Sequence, residues 1–341
     1  MPVLKSYKSK GAIAPESTYG VHSTTQADYK VLRLVSENIM PMPEYIRSNA
    51  KFGVNGRLSS QIEAFKYAGN IVIELDYVDA LPVLKAFMGA GASDVTTETD
   101  TPSAGYTKYT IQLSEEVAQS FSILLDKGGE GAYVYEGGKV NTGTFTITAG
   151  QIAQLELETV YKDRSSPGGS PVISIPQLTE VDLMVLADTV FRVKAGADQT
   201  PSGSDEYKIS NYQIANNWNL LQDALVSGGT ILEPIPSNAK EVSCTVENPM
   251  FDSDDTQLQA MRNAKLNDTP VTHDIKLTTQ EAGNDYASLM FHIPRSKSIE
   301  GFEPETADEI IGVSGTLEPY RKAENDTADD KEFYCEYIVK D

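Results

Sequence analysis

The chain has 341 residues, 40% of them hydrophobic, so it is long enough to bury a substantial core and to form two domains. Its 49 acidic residues outnumber its 28 basic residues and give a formal net charge of −21 at pH 7. Tight binding of duplex DNA needs lysine and arginine to displace counterions from the phosphates. The negative charge therefore argues against a protein that binds duplex DNA tightly. A halophilic or simply well-solvated surface is an equally good explanation of the acidity.

Residues 1–40 show no sustained hydrophobic period and mix glycine, proline, serine and threonine with scattered lysines. This composition predicts an extended N-terminal arm that contains one short strand over residues 31–35. Such an arm either docks on a partner or frays as a chain terminus.

An alternating pattern over residues 69–77 marks the first clear strand. Ile71, Ile73 and Leu75 are apolar, and the residues between them include carboxylates. The same period of two recurs over residues 151–161, so both stretches are predicted to be strands with one buried and one acidic face. Such strands form half of a sandwich or barrel wall. The carboxylates on their acidic faces are Glu74, Asp76, Glu156 and Glu158.

A short helix is predicted after the first of these strands. The apolar period lengthens there to that of a helix, which places Leu81, Leu84 and Phe87 on one face. Asp79 is positioned to cap the first turn. The polar stretch at residues 92–105 has almost no apolar residue and predicts a protruding loop, either disordered alone or ordered by a partner.

Further strands complete the first unit. They are predicted at residues 106–113, 121–125, 132–140 and 144–148, with a glycine-rich connection at 128–131 and a Gly137-Gly138 turn inside the third. A cluster of serine, proline and glycine at residues 165–171 predicts a linker that reaches about residue 180.

The second half repeats this plan loosely. A strand is predicted at residues 241–247, a helix capped by Asp254 and Asp255 follows, and strands lie at 271–277, 286–293, 310–317 and 333–339. Offsets of 171 residues from Glu74 to Thr245 and 167 from Ile123 to Met290 indicate a structural duplication, unless two generic β meanders agree by chance. The predicted domains are the arm (1–40), a first unit (41–180) and a second unit (181–341).

No pattern of catalytic or metal-binding residues is evident in the sequence. His22, His273 and His292 fall on separate elements without partners at metal-binding spacing. The acidic run at residues 252–255 resembles the start of a calcium loop but lacks the later glycine and glutamate, so helix capping explains it better. We therefore predict no enzyme activity, no cofactor and no metal site.

The two cysteines, Cys244 and Cys335, occupy apolar positions of strand-like patterns. The sequence shows neither a signal-peptide pattern nor a run of 18 apolar residues. We expect two core thiols in a reducing cytoplasm and no membrane partner, although the sequence leaves one disulfide between them open.

Several short motifs resemble one known family. They are residues 69–77 followed by 84–89, the Tyr-Glu-Gly-Gly-Lys-Val-Asn segment that begins at Tyr135, and residues 150–158. In order and type they look like the tail tube proteins of long-tailed bacteriophages. Residues 207–219 are similar to the second unit of the longer members of that family. The resemblance covers residues 45–341, and the glycine-rich insertion at 128–131 departs from it.

The resemblance implies a mainly β fold with two tandem tail-tube-like sandwich or barrel units, each with a short flanking helix. It also implies a structural virion protein whose copies join edge to edge into rings, which stack into a hollow tail tube for ejection of phage DNA. The implied partners are further copies, the tape measure and tail terminator proteins, and DNA that passes without specific binding. The implied location is the virion tail, and the host cytoplasm during assembly. A virion decoration protein or an adhesin-type binding protein is the alternative.

Two sets of site residues follow from this interpretation. Carboxylates on the wall strands are expected to line the lumen, because alternation directs them away from the core, and polar loops are expected to contact the next ring. Two units in one chain predict a ring of three chains with pseudo-sixfold symmetry, with a hexamer as the alternative. The lumen candidates are Glu74, Asp76, Glu156, Glu158, Glu241, Glu247 and Glu318. The ring-stacking candidates are Thr97, Glu98, Asp100, Ser103, Asp198 and Ser204.

Overall fold

The fold is known from a computed structural model and is mainly β, with two α-helices in the described part of the chain, α1 (Leu81–Phe87) and α2 (Thr256–Leu266). The structure describes residues 9–47, 60–128, 132–165, 174–221, 225–226, 230–248, 255–279, 286–303, 305–307, 310–322 and 331–341. Most of the predicted connection at 128–131, most of the predicted linker at 165–171, and Asp254 lie outside these residues.

The first half of the chain forms a closed six-stranded antiparallel barrel. Around it the strands follow the order β1, β2, β4, β9, β8, β7, and β7 pairs again with β1. Closure leaves no unpaired edge within the barrel itself. The strands of this half are β1 (Lys10–Pro15), β2 (Lys30–Glu37), β3 (Met40–Arg47), β4 (Ser60–Glu74), β5 (Val95–Thr99), β6 (Tyr106–Gln112), β7 (Phe121–Asp126), β8 (Ala132–Thr148), β9 (Gln154–Tyr161) and β10 (Asp163–Ser165).

The second half has a similar strand order. Strand β13 is followed by β18, β22, β20, β19 and β11, and β11 pairs in turn with the short β12. The circle of strands is interrupted between β12 and β13, because β12 pairs with β11 and β13 pairs with β18. The strands are β11 (Thr189–Ala195), β12 (Glu206–Tyr207), β13 (Asn211–Asn217), β14 (Leu220–Leu221), β15 (Leu225–Val226), β16 (Thr230–Ile231), β17 (Ile235–Pro236), β18 (Glu241–Asn248), β19 (Val271–Thr278), β20 (Ser288–Gly301), β21 (Glu305–Ala307), β22 (Ile310–Pro319) and β23 (Tyr334–Lys340).

Strand pairing defines which elements of the two halves correspond. β4 and β18 each precede a helix, and β8–β9 and β20–β22 are the equivalent hairpins. The counterpart of β7 is therefore β19. The predicted offset of 167 residues was wrong, because it matched Ile123 of β7 with Met290, which lies on β20. The corresponding strands and helix follow one another in the same order in both halves.

The two halves share one hydrophobic core. Phe87 of α1 packs edge-on against Phe291 of β20, with ring centroids 6.3 Å apart, and also contacts Phe333. Phe145 of β8 lies 4.8 Å from Phe291. Gly143 leaves the space that the Phe87 ring occupies, since a Cβ there would come within 2.5 Å of it. The helix of the first half thus packs into the second half.

The N-terminal segment differs from the predicted arm. Its residues 10–15 and 30–37 form β1 and β2 of the first barrel, and Ala12, Ile13 and Ala14 are fully buried. The small residues of β1 pack on both faces, which hides the alternation by which a strand is recognised in a sequence.

Two local predictions were wrong. Asp79 does not cap α1, whose N-cap is Ala80 without a side-chain bond. The Gly137-Gly138 pair is not a turn but a bend inside the continuous strand β8, where Gly137 adopts a φ of +68°. Its amide donates to the buried carboxylate of Glu16 at 2.8 Å. Glycine permits this conformation without breaking the strand. The predicted cap Asp255 is confirmed, since it accepts from the amides of Gln257 and Leu258.

Candidate functional site

One continuous sheet runs through both halves of the chain. The C-terminal part of β8 turns away from β7 and pairs with β13, so that residues Thr142 to Thr148 face residues Asn217 to Asn211. We call this pairing the internal joint. It connects β4, β9 and β8 of the first half to β13, β18 and β22 of the second.

The face of this sheet that points away from the core is polar and acidic. One row across it carries Asn70, Glu158, Thr142, Asn217 and Glu241 in register. The alternate residues on the opposite face are the buried apolar core. Six of the seven predicted lumen candidates lie on this one face. They are Glu74, Glu156, Glu158, Glu241, Glu247 and Glu318.

Neighbouring polar side chains hold two of these carboxylates. Glu158 accepts hydrogen bonds from Asn141 at 3.1 Å and from Thr142 at 2.9 Å. Glu156 accepts from Asn70 at 3.1 Å and remains exposed. These donors are uncharged, so neither carboxylate is bound to a cation by these contacts.

Asp76 occupies a different position from the other six acids. It is 5% exposed, forms a 2.9 Å ion pair with Arg33, and accepts the amides of Val78 and Asp79. β4 ends at Glu74, so the strand alternation no longer sets the direction of the Asp76 side chain. Asp76 organises the turn into α1 instead.

The ring-stacking candidates at residues 92–105 lie on a hairpin rather than on an irregular loop. Thr97 and Glu98 are exposed on the edge strand β5, which pairs with β6. Asp100, with a φ of +54°, accepts the amide of Gly105 at 3.1 Å, and Ser103 is half-buried in the same turn.

The candidates at residues 196–206 lie on a segment that is hydrogen-bonded to the second half of the chain. Exposed Asp198 forms a 2.7 Å ion pair with the buried Arg295, and its amide donates to the carbonyl of Pro294. Ser204 is exposed, and its carbonyl accepts from Gln257 of α2.

The β3–β4 hairpin is a surface that the sequence analysis missed. Its large apolar side chains are about half exposed, which is unusual for a strand pair. The available signal was the Met-Pro-Met-Pro run at residues 40–43, because proline in a strand marks an edge. The exposed side chains are Met40, Met42, Tyr45 and Phe65.

One of the histidines and both cysteines lie in the core. His273 is fully buried against Phe191, and burial lowers its pKa to about 3. Cys244 and Cys335 are buried free thiols. Within the described residues, no group of three or more histidine, cysteine or acidic side chains could hold a metal ion. The helices of the described chain are all too short or too polar to span a membrane.

The chain matches the sequence profile of a family described as phage tail tube protein over residues 6–324. It belongs to the phage tail tube protein family. A search among curated proteins matched none to this chain. Family membership makes it a structural protein of the virion tail, and it implies that copies assemble into a tube. The β-rich barrel fold agrees with the fold that the sequence resemblance implied.

Proposed function

We propose that this tail tube protein is the wall subunit of the tail, and that its copies self-assemble into stacked rings whose lumen carries phage DNA during ejection. The observation that carries the proposal is the continuous acidic face of the sheet. This surface is rich in carboxylates, hydroxyls and amides, and its cations Arg33 and Lys297 are bound to Asp76 and Asp268. It therefore offers DNA phosphates few free cations that could displace counterions. DNA therefore slides past such a wall instead of adhering to it.

The number of strands favours three chains in a ring. In the described part of each chain, the sheet comprises eight strand positions, with β2 and β3 forming one end and β20 and β21 the other. With strands about 4.8 Å apart and tilted by about 40°, a barrel of 24 strands has a backbone diameter of roughly 48 Å. Six chains would double that diameter, far beyond what a duplex requires. Three chains with two barrels each give pseudo-sixfold symmetry.

Contacts between rings are proposed for the polar segments at the barrel ends. The exposed residues of β5 and of the segment at 196–206 are suited to this role because they bury little surface within one subunit. The tape measure and tail terminator proteins are the proposed partners at the lumen and at the end of the tube. Assembly of the tube is proposed to take place in the host cytoplasm.

Electron microscopy of the purified protein tests this function directly. We expect hollow tubes, top views with three strong and three weaker repeats, and a ring mass of three chains. A ring mass of six chains would reject the three-chain ring while leaving the tube intact. Failure to form tubes, together with binding to assembled virions, would favour a decoration protein instead.

A further inference from the structure

The internal joint shows how two tube units pair within one chain. Asn217 lies opposite Thr142, and the amide of Trp218 donates to the carbonyl of Asn141 at 2.8 Å. Bonded and non-bonded pairs alternate in an antiparallel ladder, so Asn217 and Thr142 form a close, non-bonded pair.

Each half of the chain contains the other side of such a joint. The bulge of β8 between Val140 and Thr142 recurs in β20 between Ser298 and Glu300, so Glu300 is the counterpart of Thr142. Both bulges sit at the same point of equivalent hairpins. Beyond Ser296, one edge of β20 pairs with β22, and the other edge, which corresponds to the internal joint, pairs with no described strand.

The matching edge lies on β3. Asn217 pairs with Glu241 of β18, and Met42 pairs with Lys66 of β4, at the equivalent position of the equivalent strand pair. Met42 is therefore the counterpart of Asn217. The outer edge of β3 also pairs with no described strand.

We infer that copies of this chain join by repeating the internal joint, with the β20 edge of one copy docked along the β3 edge of the next and Glu300 opposite Met42. The inference rests on the proposed ring and names the surfaces that close it. The partner at each of the two free edges is a second copy of the same chain.

The hydrogen-bonding groups of the two edges fit this register. Phe302 donates to Ser314 of β22, so by alternation the backbone groups of Gly301 point toward the docking edge. The residue opposite Gly301 is Pro41, the counterpart of Asn216, and proline has no amide hydrogen to donate. The carbonyl of Gly301 does not need that donor, because Lys265 of α2 already donates to it at 3.0 Å.

Exposed apolar side chains lie on both edges. Met40 and Met42 are 52% and 43% exposed, and Ile299 next to Glu300 is 50% exposed. Docking in the proposed register brings these side chains together. In the proposed ring these side chains lie at the contact between two copies, which accounts for their exposure in the single chain.

A disulfide between copies tests the register. The double variant Met42→Cys, Glu300→Cys places two thiols in a non-bonded pair, whose Cα atoms lie about 4.5 Å apart, within the range for a disulfide. We expect oxidised tubes to give, on non-reducing gels, a ladder that ends at three chains. Each single variant should give at most a two-chain product. The native Cys244 and Cys335 are fully buried and should not interfere.

The internal joint supplies the matched control. Asn217→Cys with Thr142→Cys should form the same bond within one chain before assembly, which verifies that the geometry permits it. Tubes of the Met42 and Glu300 variant that stay uncrosslinked would overturn the register and leave the tube function standing. A ladder that ends at six chains would confirm the joint and reject the three-chain ring. If wild-type protein forms no tubes, the proposed function itself fails.

Discussion

Lys127 and Glu37 together bind both backbone polar groups of Ile39 at the exposed edge formed by β2 and β3. The Lys127 ammonium donates to Glu37 at 2.8 Å and to the carbonyl of Ile39 at 2.8 Å. The same carboxylate accepts the amide of Ile39 at 3.2 Å. Both backbone groups of Ile39 are thus occupied by side chains. Because an open edge strand is a template for pairing, we expect these contacts to hinder premature association of the free subunit.

Replacing Lys127 with methionine should lower the protein concentration at which tubes appear, because the carbonyl of Ile39 then becomes available to another strand. Light scattering across a dilution series measures that threshold. Lys108→Met is the matched control, since it breaks the 2.7 Å ion pair with Glu336 on the distant β6 and β23. An equal shift in both variants would show that the effect is general charge loss and not release of the Ile39 carbonyl.

Reversing charge on the acidic face should make tubes retain DNA. In the variant Glu156→Lys, Glu241→Lys, assembled tubes should co-sediment with short duplexes at low salt and release them as salt rises, because the new cations displace counterions. Exposed wall charges contribute little to stability, so assembly should persist. Asp163→Lys on β10 is the control, since this exposed acid lies outside the acidic face and the proposed ring contacts. Retention equal to that of the wall variant would argue against a lumen role for this face.

His273 should contribute a pH-dependent loss of stability. Burial, with a smaller effect of His292, lowers its folded-state pKa to about 3 from 6.5. The unfolded chain therefore binds a proton first as pH falls, so this stability is complete above pH 6.5 and declines toward pH 3. At pH 5 the loss is about 2 kcal/mol.

Denaturant unfolding of wild type and His273→Gln at pH 7 and pH 5 measures this effect. Glutamine can still bond Ser296, which lies 3.2 Å from the histidine ring nitrogen. The variant should lose less stability than wild type between the two pH values. The same loss in both proteins would exclude His273 as the source.

Gly143→Ala should destabilise the chain by about 1–3 kcal/mol, because the new methyl group forces the Phe87 ring out of its packed position. Thermal unfolding measures the change. The control Gly203→Ala adds a methyl group whose nearest neighbour lies 4.0 Å away, and it should be nearly neutral. Equal destabilisation at both sites would contradict the packing explanation, because the loss of a glycine by itself lowers the entropy of the unfolded chain and favours folding.

The sequence by itself determined which face of each clear wall strand is buried. Alternation at Ile71, Ile73 and Leu75 placed Glu74 on the polar face, and the Asp255 cap of α2 was evident from its position. These features depend on neighbours a few residues away, so a local pattern is enough to predict them.

Only the tertiary structure decided which strands pair. β8 pairs with β13 across the two halves, and β1 joins the barrel although its small residues show no alternation. Asp76 is buried by Arg33, 43 residues earlier in the chain. Register between distant strands arises from the packing of the whole core, and no short stretch of sequence specifies it.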